Sequence, residues 1–121
     1  MAAGNRDTAS GTALVIDDDA ILSSLIAAVC RDVGLEAHVV GSVDEAAAAL
    51  SDRTFDLVCC DAFLPDGTAV QVFDCLPHQT PPPYIILCTG ARDPLADPRI
   101  DRVLRKPFRV QELRNTLTDR R

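Results

Sequence analysis

The stretch ALVIDDDAIL, residues 13–22, ends an apolar run in three consecutive aspartates. Carboxylates this close together repel one another, and the repulsion grows where the site is partly removed from water. A cation or a particular fold geometry is therefore needed to make the arrangement stable. The strands and helices around the stretch indicate which of the two applies.

The length and composition fit one globular domain. The chain has 121 residues, of which 47% are hydrophobic and 25% are charged, enough for a single core and unlike a disordered segment. The net charge of −6 argues against direct binding to nucleic acid or to an anionic membrane, because both are held by Lys and Arg. We expect a flexible leader over residues 1–11 and one domain over residues 12–121.

No segment has the length and hydropathy of a signal peptide or of a membrane span, which predicts a cytoplasmic protein. The cysteines are odd in number and lie in apolar stretches without metal-binding spacing, so we expect buried, reduced thiols. They are Cys30, Cys59, Cys60, Cys75 and Cys88.

Short β-rich runs alternate with helical patterns along the chain. Strands are predicted at residues 12–16, 36–40, 55–60 and 84–88, with a short fifth strand ending at Lys106-Pro107. The first predicted helix starts after Asp19, interpreted as its N-cap, and stops at Gly34. The second follows a capping box of Ser42 and Glu45. The third covers residues 68–76, and the last begins at Val110. This alternation predicts a doubly wound α/β fold with a parallel sheet covered on both faces.

Two loops of this pattern stand out. Pro65, Asp66 and Gly67 after the third strand are interpreted as a turn. Between the last two strands, Pro94 and Pro98 leave room for at most one helical turn where a fourth helix is due. We therefore expect the fourth helix to be shortened or replaced by a loop.

Polar side chains follow four of the predicted strands at the point where each strand ends. They are Asp17, Asp18 and Asp19 after the first strand, Asp61 after the third, Thr89 after the fourth and Lys106 after the fifth. Because ligands bind at the carboxyl ends of parallel strands, we expect these groups to converge. Clustered carboxylates suit Mg²⁺, and a lysine with a hydroxyl can hold an anion beside it. Since a carboxylate such as Asp61 can form an aspartyl-phosphate, the set is equipped for phosphoryl transfer.

Four motifs in order, VIDDD, LVCCDAFLPDG, ILCTGA and LRKPF, resemble those of receiver domains of bacterial response regulators over about residues 12–119. The resemblance implies a flavodoxin-like five-stranded fold with strand order 2-1-3-4-5 and a cis Lys106-Pro107 bond. It implies Asp61 as phosphoacceptor, Lys106 as phosphate partner, Thr89 as the hydroxyl that moves towards the phosphoryl group and Gly90 as a backbone phosphate contact. The implied Mg²⁺ ligands are Asp17, Asp18, Asp61 and the backbone carbonyl of Phe63, with Asp18 favoured for direct contact.

In that family the aspartate takes a phosphoryl group from a phosphohistidine on a sensor histidine kinase or a histidine phosphotransfer protein. The resemblance therefore implies a protein that catalyses only its own phosphorylation and dephosphorylation, with Mg²⁺ as cofactor. Since the sequence stops at Arg121, we expect output through contact with an unknown protein, without a direct nucleic-acid or membrane partner.

One position departs from the family pattern. Receivers usually carry Tyr or Phe three residues before the lysine, as a ring that moves with the threonine, and here the residue is Val103. We hypothesise instead that residues 91–101 are mobile and become ordered on phosphorylation or partner binding.

Two alternatives stay open from sequence. Val103 also suits a receiver-fold binding module that signals without phosphorylation. The run Asp17-Asp18-Asp19 resembles the nucleophile motif of haloacid-dehalogenase-like phosphatases, but that reading gives no role to Asp61 or to the KPF motif.

Overall fold

The computed structural model describes residues 11–90, 92 and 95–120. The predicted leader over residues 1–11 lies outside this part of the chain, apart from Gly11, and stays a prediction. In chain order the elements are β1 (Thr12–Ile16), α1 (Ala20–Asp32), β2 (Glu36–Val40), α2 (Val43–Asp52), β3 (Leu57–Asp61), β4 (Phe63–Leu64), β5 (Gly67–Thr68), α3 (Ala69–Phe73), β6 (Tyr84–Thr89), β7 (Arg102–Arg105) and α4 (Val110–Thr118).

The longer strands form one five-stranded parallel sheet in the order β2-β1-β3-β6-β7. When only the five strands of this sheet are numbered along the chain, their order is 2-1-3-4-5. The predicted doubly wound α/β fold is therefore confirmed. The strands β4 and β5 pair separately as an antiparallel hairpin, where the sequence predicts only a turn. Because the large sheet is parallel, the carboxyl ends of its strands meet at one edge, and the hairpin follows β3 there.

The sheet is covered on both faces, as the unbroken apolar strands predict. Ala13 and Val15 of β1 belong to a buried cluster shared with α1 and α4. Leu14 and Ile16, the alternate residues of the same strand, belong to a second buried cluster shared with α2 and α3. The strand β1 therefore contributes to two cores, one on each side of the sheet.

Local signals set the ends of α1. The carboxylate of Asp19 accepts hydrogen bonds from the backbone N–H groups of Ile21 (3.0 Å) and Leu22 (3.1 Å), which confirms the predicted N-cap. Gly34, just beyond the other end, has a φ of +100°, a conformation that favours glycine, so the predicted stop is also confirmed.

Two elements are shorter than predicted. The strand β3 begins at Leu57 and not at residue 55, because the carbonyl oxygen of Phe55 accepts the side-chain amide of Gln79 (2.9 Å) and not an N–H of a neighbouring strand. The helix α3 has five residues instead of the predicted nine. It ends because the N–H groups of Cys75 and Leu76 bond three residues back, to Val72 and Phe73, in a tighter turn.

Four of the five free cysteines are buried, as predicted. The prediction is wrong for Cys75, which is exposed after α3 and whose thiol lies 3.3 Å from the carbonyl oxygen of Gln71. The sulfur atoms of Cys59 and Cys88 lie 3.2 Å apart in the core. The hydrogen bond between them and the burial of Cys59 raise the pKa of Cys59, which keeps its thiol protonated.

No helix occurs among the described residues between β6 and β7, so the expected loop in place of a fourth helix is confirmed for residues 92 and 95–101. None of the described helices is long and apolar enough to cross a membrane.

The loop is anchored by Arg99. Its guanidinium donates to the carboxylates of Asp97 (2.8 Å) and Asp74 (2.9 Å) and lies 5.7 Å from the centre of the Phe73 ring. The contact with Arg99 lowers the pKa of Asp97 to about 2, so this carboxylate stays ionised in the neutral range. Two hydrogen bonds then join Asp101 to β6. These contacts argue against a mobile segment over residues 97–101, while residues 91, 93 and 94 lie outside the described part of the chain.

We expect amide exchange at Ile100 and Asp101 to be slow in the unphosphorylated protein, because both N–H groups are hydrogen bonded. Replacing Arg99 by Ala should accelerate exchange at these amides by roughly three- to ten-fold, since ion pairs and a cation–π contact of this kind contribute about 1 kcal/mol. Hydrogen exchange with mass spectrometry measures this, with Arg102→Ala on exposed β7 as control. Fast exchange in the wild-type protein would restore the hypothesis of a mobile segment.

Candidate functional site

Lys106 joins two of the predicted acids. Its ammonium lies 3.1 Å from Oδ2 of Asp17, which directly follows β1, and 3.3 Å from Oδ2 of Asp61, the last residue of β3. Asp17 is 3% exposed, and its other oxygen accepts the backbone N–H of Asp19 (2.9 Å). The side chain of Asp61 keeps 16% of its surface exposed. One buried carboxylate therefore holds the lysine, and a more accessible one lies beside it.

Asp18 completes an acidic cluster with these two residues. One carboxylate oxygen from each of Asp17, Asp18 and Asp61 lies within 4.8 Å of the others. Three carboxylates and one ammonium leave two uncompensated negative charges, which matches the charge of one divalent cation. All three donors are hard oxygen ligands, the kind that Mg²⁺ prefers, so the residues fit the predicted metal.

Burial raises the pKa of Asp61, and the negative charge of Asp17 acts in the same direction. The ammonium of Lys106 and the backbone N–H of Phe63 oppose this shift without cancelling it. Burial lowers the pKa of Lys106, but contacts with Asp17 and Asp61 outweigh burial, so its pKa is raised. The lysine is therefore a fixed positive charge next to a carboxylate whose negative charge is disfavoured by its surroundings.

Thr89 ends β6 beside this cluster. It is 1% exposed, and its backbone oxygen accepts the N–H of Lys106 at 2.9 Å. Gly90 follows at the exposed surface, where an added Cβ would lie 3.8 Å from Cβ of Lys106. The Lys106-Pro107 bond is cis, as the resemblance implies. The predicted convergence is thus confirmed for the side chains of Asp17, Asp18, Asp61 and Lys106, while the carboxylate of Asp19 caps α1 instead, and the individual roles stay predictions.

Phe63 lies in β4, two residues after Asp61. Its side chain is 52% exposed, and its backbone pairs with Thr68 of β5. The residue is therefore placed next to the acidic cluster by a hairpin and not by a free loop. Val103, at the position of the family's aromatic ring, is 41% exposed on β7 and borders a shallow groove of about 460 Å³ with Leu95 and Ile100.

The sequence analysis missed two features of the site, one that has no signal in the sequence and one that has. Asp66, interpreted as a turn residue, bonds the first backbone N–H groups of α2, more than twenty positions away. Nothing in the spacing signals this contact. The other feature was readable: Lys106 is the only lysine in the sequence, and every other permanently cationic side chain is an arginine. The sequence thus places its one compact ammonium, which differs in shape and hydration from a guanidinium, between Asp17 and Asp61.

A doubly wound fold with acids and a lysine at the carboxyl edge of its sheet is the architecture of receiver domains. The family model described as "Response regulator receiver domain" matches residues 13–118. The chain therefore belongs to the response regulator receiver family, whose members are signalling modules of two-component systems and not, in general, enzymes with a separate substrate.

Curated relatives agree with this assignment. The DNA-binding response regulator MtrA of Mycobacterium tuberculosis is 30% identical over 112 residues, which covers 88% of this chain and 49% of that protein. The probable transcriptional regulatory protein TcrX of the same organism is 30% identical over 109 residues, covering 84% and 46%. The chain thus spans about half the length of these relatives. Because MtrA is named as DNA-binding, the expectation that this protein has no nucleic-acid partner is not supported.

Solved structures show the same fold. A receiver domain from Methylobacillus flagellatus superposes with a TM-score of 0.80 at 24% identity, covering 92% of this chain and 98% of that one. The chemotaxis response regulator CheY4 of Vibrio cholerae gives a TM-score of 0.79 at 21% identity, with the same coverage. The phosphatase alternative gains nothing from the comparisons, and Asp19 of its supposed motif is the cap of α1.

We expect Asp18→Asn to lower the affinity for Mg²⁺ by about ten-fold or more, because it removes an exposed carboxylate oxygen from the cluster. The same change should raise the melting temperature of the metal-free protein, since the remaining acids repel less. Calorimetric titration and thermal unfolding with EDTA measure the two effects. Asp19→Asn is the matched control, because Asn caps a helix equally well. Unchanged affinity in Asp18→Asn would show that Asp18 is not a ligand.

Proposed function

We propose that the protein accepts a phosphoryl group on Asp61 from a phosphohistidine of a sensor histidine kinase or a histidine phosphotransfer protein. A carboxylate oxygen of Asp61 attacks phosphorus, the bond between phosphorus and the imidazole nitrogen breaks, and its electron pair returns to the imidazole. The observation that carries this proposal is the position of Asp61, partly exposed at a strand end and 3.3 Å from the ammonium of Lys106.

The residues around Asp61 have distinct tasks in this proposal. Lys106, held by Asp17, presents a positive charge to the phosphoryl oxygens as their charge develops. Thr89 supplies a hydroxyl at the end of the neighbouring strand, and the backbone of Gly90 leaves room for a phosphate contact. Burial already disfavours the negative charge of Asp61, and the phosphoryl group would bring further negative charge to the site, so the positive charge of Lys106 is needed beside it.

Mg²⁺ is the proposed cofactor. Asp17, Asp18, Asp61 and the backbone carbonyl of Phe63 would hold it. When bound, the ion neutralises charge on the acids and on the phosphoryl oxygens. The two uncompensated charges of the acidic cluster support a divalent ion, and the hard oxygen donors favour Mg²⁺ over a softer metal.

Signalling is proposed to proceed by contact with another protein through the region around Thr89 and residues 95–103. Thr89 is the last residue of β6 and pairs with Arg105 of β7, the strand that carries Val103, so a change at Thr89 would act on Val103 through this pairing. Five free cysteines support a reducing compartment such as the cytoplasm. The DNA-binding name of the relatives is the competing possibility for the output partner.

The test uses Mg²⁺ with acetyl phosphate, and separately with a phosphohistidine donor, followed by intact mass measurement. The proposal predicts one added phosphoryl group that is removed by hydroxylamine, as an acyl phosphate is, and that does not form in EDTA. The exposed Val103 favours a second candidate, a receiver-fold module that works without phosphorylation. No adduct from either donor, even at short sampling times, would favour this second candidate.

A further inference from the structure

The turn between β4 and β5 is fastened to another part of the fold. It consists of Pro65 and Asp66, and both oxygens of the Asp66 carboxylate accept backbone N–H groups of α2. Oδ1 lies 2.7 Å from the nitrogen of Val43, and Oδ2 lies 3.0 Å from the nitrogen of Asp44. A charged acceptor on two N–H groups at a helix N-terminus is a strong arrangement, because the helix dipole favours the negative charge.

The N-terminus of α2 depends on this contact. Its own N-cap, Ser42, accepts only the N–H of Glu45 (3.1 Å), and the carboxylate of Glu45 turns back to the N–H of Gly41 (2.8 Å). The N–H groups of Val43 and Asp44 are therefore left to Asp66. These two hydrogen bonds also lower the pKa of Asp66, so its carboxylate stays ionised in the neutral range.

The hairpin that ends in this turn carries part of the metal site. The N–H of Phe63, the first residue of β4, interacts with the Asp61 carboxylate, and its carbonyl is a proposed Mg²⁺ ligand. The base of the hairpin is closed by a bond from the N–H of Ala69 to the oxygen of Ala62 (3.0 Å). Next to the tip, a Cβ added at Gly67 would lie 3.1 Å from the Val43 side chain. The position of Phe63 is thus set by a hairpin held at both ends.

The same junction also supports the other half of the acidic cluster. The carbonyl oxygen of Val40, the last residue of β2, accepts the N–H of Asp17 at 3.1 Å. At Gly41, an added Cβ would lie 3.8 Å from both the Asp17 carbonyl oxygen and Cα of Asp18. The segment from residue 40 to residue 44 therefore contacts the loop after β1 directly and the loop after β3 through Asp66.

We propose that Asp66 is a positioning residue for the metal site: by fixing the β4–β5 hairpin on the N-terminus of α2, it sets the distance between the Asp17/Asp18 loop and the Asp61/Phe63 loop. This inference rests on the proposed Mg²⁺-dependent phosphorylation of Asp61. Asp66 itself touches neither the metal nor the phosphoryl group. Its loss should therefore weaken Mg²⁺ binding while the chemistry at saturating Mg²⁺ is retained.

The experiment compares wild type, Asp66→Ala, Asp66→Asn and the control Asp44→Asn, which removes a charge from the same helix end without removing a contact of Asp66. Initial rates of labelling by acetyl phosphate are measured by intact mass over a range of Mg²⁺ concentrations, and Mg²⁺ binding is measured by calorimetry. We expect Asp66→Ala to raise the half-saturating Mg²⁺ concentration about ten-fold, with the saturating rate within about two-fold of wild type. Asp66→Asn should show a smaller rise, because it keeps one acceptor oxygen.

An unchanged half-saturating concentration in Asp66→Ala would overturn the inference. The inference would also be overturned if Asp66→Asn were not labelled at saturating Mg²⁺ and had lost its cooperative thermal unfolding transition. That outcome would indicate that Asp66 acts in folding alone. If wild type takes up no phosphoryl group, the proposed function fails, and the calorimetric comparison still decides whether Asp66 positions the metal ligands.

Discussion

Asp61→Asn is expected to abolish labelling by acetyl phosphate and by a phosphohistidine donor. An amide is not a nucleophile of this kind, and the other two acids of the cluster do not replace Asp61. Asp17 is 3% exposed and already holds both Lys106 and the N–H of Asp19, and Asp18 is not in contact with Lys106. The comparison of intact masses after a short incubation with Mg²⁺ measures the loss.

The loss should not come from unfolding. Because burial raises the pKa of Asp61, folding favours its neutral form more than the unfolded chain does, and the folded state gains stability as the pH falls through that raised value. Asn mimics the neutral form, so metal-free Asp61→Asn should unfold at the same temperature as wild type or above it. If Asp61→Asn were still labelled, and the control Asp19→Asn were labelled normally, the phosphoryl acceptor would be a residue other than Asp61.

Lys106→Gln is expected to reduce the initial rate of labelling by about 10²- to 10³-fold, the range found when a preorganised group that stabilises developing charge is removed. Glutamine has nearly the same length but no charge to offer the phosphoryl oxygens. The change also leaves the buried Oδ2 of Asp17 without its cation at 3.1 Å, which should cost about 1–3 kcal/mol of unfolding free energy in the metal-free protein.

The matched control is Arg102→Gln, which removes one positive charge from an exposed residue of β7, four residues before Lys106. It should be labelled at the wild-type rate. Lys106→Arg should be intermediate, because it keeps the charge but not the compact geometry of an ammonium. If the Lys106→Gln variant were labelled as fast as wild type, Lys106 would have no role in phosphoryl transfer.

Much of the fold could be predicted because its local signals are strong. The apolar run of β1 stops at charged Asp17, and β2 is bounded by Gly34 and Gly41, so both strands have the predicted limits. The start of β3 was predicted two residues early, since Phe55 is buried like a strand residue although its carbonyl oxygen accepts the side-chain amide of Gln79 and not a strand N–H. Burial alone does not distinguish these two cases.

The candidate site was predictable where it follows from strand direction. Asp17, Asp61 and Lys106 end or follow parallel strands, so their meeting is a consequence of the topology. The contacts of Asp66 with α2 and of Arg99 with Asp74 depend on how loops fold back on the sheet. Their residues are far apart in the chain, and a turn-forming Asp or an arginine near two prolines has many possible partners.

The most direct test of the central claim is the location of the phosphoryl group. Protein labelled with Mg²⁺ and acetyl phosphate is treated with borohydride, which reduces an acyl phosphate of aspartate to homoserine, and is then digested and sequenced by mass spectrometry. We predict homoserine at position 61 and at no other aspartate. Homoserine at position 17, 18 or 19 instead, or a labelled protein in which Asp61 is unmodified, would contradict the account.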